Sequence, residues 1–194
     1  MAREPVDIEL TTAPETRDDG ELVLLTIGHG THSASEFGRL LAGAGARSLV
    51  DIRIGQGSRR NPQFQRASLE EALPQHGIEY RWEGRLGGFR KLPPDSPDIA
   101  LRNESFRAYA AHMRTAQFRA AVEELLEHAS RLRTAIMCSE SVWWRCHRRL
   151  VADAIMLLHA WDVLHIMPNG KLVRHQPTDE ARLDGDELYY SGNQ

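Results

Sequence analysis

Cysteine is scarce in this chain, with two residues in 194. That excludes a disulfide framework, which needs several evenly matched cysteines. Aromatic residues make up 7% of the chain. No apolar run approaches the roughly 18 residues that a membrane-spanning helix requires. No secretory leader is evident, so the chain reads as cytoplasmic, with reduced thiols and no membrane partner. An excess of positive charge is also missing. Lysine and arginine total 24 against 27 acids, for a formal net charge of -3, which does not by itself mark a nucleic-acid binder. There is no internal repeat, no low-complexity block and no dinucleotide glycine fingerprint.

What is present is ordinary for a globular protein: 41% hydrophobic and 26% charged residues, enough to bury a sizeable core. Residues 1–20 are polar, acidic and rich in threonine and proline, and read as a disordered N-terminal tail. Residues 21–175 read as a single domain, and 176–194 as a polar C-terminal tail.

Within that domain, apolar runs alternate with helical patterns. Leu22–Ile27 and Ser48–Ile54 read as buried strands, Ile78–Trp82 as an alternating one, and Thr134–Cys138 and Asp162–Ile166 as a fourth and fifth. Ser33 with Glu36 forms a capping-box signal before a helix carrying Phe37, Leu40 and Leu41. Ser68 with Glu71 reads as the start of a short second helix. A third helix is expected over Phe106–Met113, a fourth after an N-cap at Thr115, and a fifth over Cys146–His159. Asn169-Gly170 reads as a hairpin turn. The alternation predicts an α/β fold: a single three-layer domain with a mostly parallel sheet of about five strands and helices on both faces. Strand-end loops then share one rim, where open sheets bind ligands.

The richest chemistry lies on one such turn. Residues 138–149 place Cys138, Glu140, Cys146, His147 and three arginines between the fourth strand and the fifth helix. Charge is concentrated elsewhere too. Residues 53–66, 81–91 and 143–149 carry +4, +3 and +3, so the remainder carries -13. Local positive charge on an acidic body suits an anionic ligand.

Arg53, Arg59, Arg60, Arg85 and Arg148 are candidate phosphate ligands, because guanidinium forks match phosphate geometry. Gly28-His29-Gly30, ahead of a capped helix, could present backbone N–H groups to the same phosphate. Asp51 reads either as an ion-pair partner orienting Arg53 or as a general base, and Glu140 carries the same two readings beside His147. Cys146 beside cations at a helix start is a candidate nucleophile, with Cys138 second. A phosphatase-type Cys-x5-Arg loop is not present: six residues separate Cys138 from Arg145, and no glycine lies between. Trp143 is a candidate base-stacking platform. Cys138, Cys146 and His147 are also candidate ligands for zinc or haem iron, although the spacing fits no common zinc motif. His112, His128, His159 and His175 read as incidental.

Several segments together resemble a known family: Thr26–His29, Leu49–Arg53 with Ser58–Arg60, Leu86–Gly88, Phe106–Tyr109, and Cys138-x-Glu-x5-Cys-His-Arg148. From about Leu24 to about Ile166 the chain resembles the bacterial and archaeal "domain of unknown function 488" family. That resemblance implies a compact α/β domain in a cytoplasmic protein and brings no activity or cofactor with it. The Trp143-Trp144 pair lies outside the family signature.

Three functional expectations follow. The first is a hydrolase or group transferase acting on a phosphate-bearing nucleotide or nucleic acid in a strand-end crevice. The second is a thiol redox, metal- or haem-binding protein centred on Cys138, Cys146 and His147. The third is a non-catalytic nucleic-acid or anion-binding module.

Overall fold

A computed structural model describes residues 22–55 and 60–192. Arg59 and the N-terminal tail expected over residues 1–20 lie outside the described residues.

Strands β1 (Val23–Gly28), β2 (Ser48–Asp51), β3 (Glu79–Trp82), β4 (Thr134–Cys138), β5 (Asp162–Ile166) and β6 (Leu172–Arg174) form one sheet in the order β3-β2-β4-β1-β5-β6. All neighbours pair in parallel except β5 and β6. The central strands β2 and β4 are buried at every position, as strands covered on both faces must be. The charged residues Glu79 and Arg81 fall on β3, an edge strand exposed at three of its four positions, where charge discourages further pairing.

Side chains of period two divide between two cores. Leu24, Val50, Ile136 and Cys138 join helices α3 (Glu104–Met113), α4 (Ala116–Arg131) and α5 (Arg148–His159) on one face. Leu25, Ile27, Leu49, Ala135 and Met137 join α1 (Ala34–Gly43) and α2 (Arg66–Ala72) on the other. This is the expected α/β layering, with six strands in the main sheet.

Local signals explain most element boundaries. Ser33 Oγ accepts from the Glu36 backbone, and the Glu36 carboxylate accepts from the Ser33 backbone, so the capping box forms. Thr115 caps α4. The Asn169-Gly170 turn joins antiparallel β5 and β6, with Gly170 at φ +83. Ser68 does not open α2. The helix begins at Arg66, and Ser68 Oγ instead donates to the Pro62 carbonyl.

The stretch 176–194, expected as a polar tail, contains structure. β7 (Ala181–Asp184) and β8 (Glu187–Tyr190) pair as a hairpin. Leu188 and Tyr190, 1% and 0% exposed, complete the α3–α5 core. The chain reverses at Gly185, φ +60, an Asp-Gly signal that sequence reading passed over.

A candidate thiolate–imidazole centre

Register aligns the carboxyl ends of the central strands, with Gly28 opposite Cys138 and Asp51 opposite Met137. The loops that leave these ends are packed tightly. A Cβ on Gly28 would stand 1.7 Å from the Glu140 carbonyl oxygen and 2.7 Å from Arg148 Nη2. Only glycine lets the 139–141 turn close over β1. Gly30, at φ +50, faces Ser141 in the same way. The backbone N–H groups of His29 and Gly30 donate to the carbonyls of Cys138 and Ser139. Those donors are therefore not presented to a phosphate.

At the β2 end, Asp51 is fully buried and accepts from the Arg53 backbone, from Arg53 Nε and Nη2, and from the Tyr80 hydroxyl. These contacts form the ion pair that was one of the two readings of Asp51. Arg53 is 5% exposed, and its remaining donors reach the Phe64 carbonyl and His29 Nε2. A guanidinium can only donate, so His29 Nε2 accepts, and Nδ1–H donates to the Gly30 carbonyl at 2.9 Å. The ring stacks on Phe64 with centroids 4.3 Å apart. Burial, reinforced by the Arg53 charge, pulls its pKa down to about 4, so His29 is neutral.

Among the described residues, the arginines expected from charge clustering do not form a common rim. Arg85 is held by Glu83 and Glu124 at 2.6 and 2.5 Å. Arg53 belongs to Asp51. Arg148 is 1% exposed. Arg60 is exposed in a loop. Trp143 is not a base-stacking surface either: it is 6% exposed and stacked face to face on His165 at 4.3 Å. Glu140 is exposed, and it is its carbonyl, not its carboxylate, that takes part, accepting from Arg148 Nη2 at 2.6 Å.

Three expected residues do come together. Cys138 ends β4, and Cys146 and His147 lie just before α5. The two sulfurs and an imidazole nitrogen all lie within 4.8 Å of one another. His147 Nδ1 is 3.7 Å from Cys138 Sγ and 3.6 Å from Cys146 Sγ. Both cysteines are unbridged and buried. The imidazole is held by packing: its ring lies 4.9 Å from that of Tyr109. A Cβ on Gly88 would stand 3.3 Å from His147 Nδ1, so the 84–88 loop packs closely over the ring. These donors are soft and convergent, the set that a zinc-type ion prefers.

The two thiols differ. Burial opposes ionisation of Cys146, but Cys138, His147 and Arg148 together hold its pKa well below the ordinary thiol value. Cys138, sharing its hydrogen with Cys146 and buried, is pushed well above it. The Arg148 backbone N–H also donates to Cys146 Sγ at 3.5 Å.

Sequence reading missed the groups behind Arg148. Arg148 Nη1 donates to Thr26 Oγ1 at 3.1 Å, and Thr26 Oγ1 lies 2.7 Å from His165 Nδ1. His165 Nε2 meets His175 Nδ1 at 3.0 Å, and His175 Nε2 meets Asp153 at 2.7 Å. Asp153 also accepts from Thr178 and from the Tyr190 hydroxyl. Burial, then the nearby His175 and Arg148, drives the His165 pKa well below 6.5. Read as incidental, His175 is buried in this chain, and His112 is buried too, bonded to the Arg85 carbonyl. The available signal was a polar residue on an otherwise apolar strand, Thr26 on β1 and His165 on β5.

Among the described residues, no helix is long and apolar enough to cross a membrane. No curated protein and no solved structure matches the chain. The family described as domain of unknown function DUF488 matches residues 33–155, a span that includes β2 to β4, both cysteines, His147 and most of α5. The chain therefore belongs to the DUF488 family.

Proposed function

We propose that this chain is a metal-binding protein whose Cys138, Cys146 and His147 hold a soft divalent ion, zinc foremost. The observation that carries this reading is the convergence of one imidazole nitrogen on two buried sulfurs. A tetrahedral ion with zinc–sulfur bonds of about 2.3 Å and a zinc–nitrogen bond of about 2.0–2.1 Å sets sulfur and nitrogen roughly 3.5 Å apart. The separations here are 3.6 and 3.7 Å, so both sulfur–nitrogen spacings are close to those an ion needs. Three protein ligands leave a fourth position open, the pattern of zinc sites that bind an exogenous ligand.

The phosphate-substrate reading draws less support. Two of its arginines, Arg53 and Arg85, are in ion pairs, and the aromatic platform it needs is buried. A second reading is favoured by the unequal thiols: Cys146 as a thiolate and Cys138 as its partner in a reversible disulfide. There, two thiols would lose two protons and two electrons to a disulfide oxidant such as oxidised glutathione.

Elemental analysis and native mass spectrometry of the purified chain test the two. The metal reading expects a single zinc per chain, removed by chelator, and lost in Cys138→Ser and in Cys146→Ser. Cobalt(II) substitution should give the strong visible bands of a tetrahedral thiolate site. A metal-free protein that takes up no cobalt and forms a Cys138–Cys146 disulfide with oxidised glutathione would replace it with the redox reading.

A further inference from the structure

Four buried side-chain nitrogens have no partner among the described residues, and three of them lie within six residues: Trp143 Nε1, His147 Nε2 and Arg148 Nε. The indole and the guanidinium are donors only. Each therefore needs an acceptor that the described protein atoms do not supply. Trp143 stacks on His165, whose hydroxyl partner Thr26 also holds Arg148. Both unmatched donors thus flank one hydrogen-bond chain.

Arg148 also forms no direct ion pair among the described residues. It is 1% exposed, its two outer nitrogens reach a hydroxyl and a backbone carbonyl, and it meets no carboxylate among the described residues. Buried charges are ordinarily paired. Because arginine only donates, Thr26 accepts from it and turns its own O–H toward His165 Nδ1. His165 then donates through Nε2 to His175 Nδ1, and His175 donates through Nε2 to Asp153. With the Thr26 hydroxyl donating, the chain runs in one direction from Arg148 to Asp153. The guanidinium cannot turn without breaking this sequence, and Nε–H is left over.

A divalent ion on two thiolates and a neutral imidazole has no net charge, and Arg148, close enough to act on Cys146, keeps one buried N–H donor without an acceptor. We infer that the centre takes a small monoanion at its fourth position, with Arg148 as the anion-binding residue and Thr26, His165, His175 and Asp153 as positioning residues. This rests on the metal reading above. The anion is of few atoms, such as hydroxide or a linear pseudohalide. The cavity of about 180 Å³ lies between α1 and α2, lined by residues such as Phe37, Leu69 and His76, away from the centre.

The test is the full chain loaded with cobalt(II) and titrated with azide, followed by the visible bands of the ion. Wild type should show a saturable spectral change. Arg148→Gln and Thr26→Val should weaken azide at least tenfold while cobalt still binds. Thr26→Ser, which keeps the hydroxyl, should restore it; a purely structural role for Thr26 would change stability but not azide affinity. Should Arg148→Gln fail to fold, the Thr26 pair decides. Cobalt bound, with a spectrum indifferent to azide or equal affinity in Thr26→Val, overturns the anion inference and leaves the metal reading standing. No cobalt bound in wild type overturns both.

Discussion

Arg148 and Asp153, five residues apart on α5 and both fully buried, form no direct ion pair with each other; three side chains, Thr26, His165 and His175, connect them instead. Opposite charges in a low-dielectric interior are held apart by a directed hydrogen-bond chain. Removing one end should strand the other. Asp153→Asn loses the charge and turns one acceptor into a donor facing His175, Thr178 or Tyr190. We expect a loss of about 3–5 kcal/mol, measured by urea denaturation. A change below about 1 kcal/mol would show that the chain is not a unit.

The C-terminal hairpin should be part of the folding unit. His175, Thr178 and Tyr190 all bond Asp153, and Tyr190 fills the α3–α5 core. Ending the chain at residue 175 should lower the thermal midpoint sharply or yield insoluble protein. Tyr190→Phe, which removes only the hydroxyl, should cost about 1–2 kcal/mol. A truncated chain as stable as the full one would restore the tail reading.

Acid should weaken the fold partly through His29. Its folded pKa is about 4, against 6.5 unfolded, so the unfolded chain binds more protons between those values. Stability then rises with pH across that window. The His29 contribution is complete above about 6.5 and is progressively lost as pH falls toward 4. His29→Gln should flatten the slope of denaturation free energy against pH between 4 and 6.5, relative to wild type. An unchanged slope would remove His29 from the acid response.

Gly28→Ala should damage the centre from outside its ligand set. The added methyl meets the Glu140 carbonyl at 1.7 Å and Arg148 Nη2 at 2.7 Å, so the 139–141 turn must lift. We expect a less stable chain with at least tenfold weaker cobalt binding. Gly43→Ala is the control, since nothing lies within 4 Å of its Cβ. Equal cobalt affinity in Gly28→Ala would mean that the turn does not shape the centre.

Local chemistry was readable from the chain. The apolar runs of β1 and β4, six and five residues long, read as buried strands because they are too short for helices. Ser33 and Glu36 cap α1 through bonds that span three residues. The clustering of Cys138, Cys146 and His147 was legible because all three lie on one ten-residue turn between a strand end and a helix start. Asp51 and Arg53, two residues apart, left both the ion-pair and the general-base readings open, and the structure shows the ion pair.

What sequence could not settle was which charges find partners. Arg85 meets Glu124, which is 39 positions away, and Thr26 meets His165, which is 139 away. Such pairs are created by strand order and helix docking, so a window of positive charge reads alike whether its arginines face water or carboxylates. Trp143 failed as a surface residue for the same reason: only the parallel pairing of β1 with β5 brings His165 beneath it. The sequence by itself determined the α/β layering, the strand ends as the place of chemistry, and the thiol–imidazole cluster, because these depend on period and short spacing. Long-range packing decided that Arg53 and Arg148 are buried, that His165 and His175 link Arg148 to Asp153, and that the last strand belongs to the core. Those outcomes depend on long-range burial, where each buried charge and donor must find a partner or retain an unmet need for one.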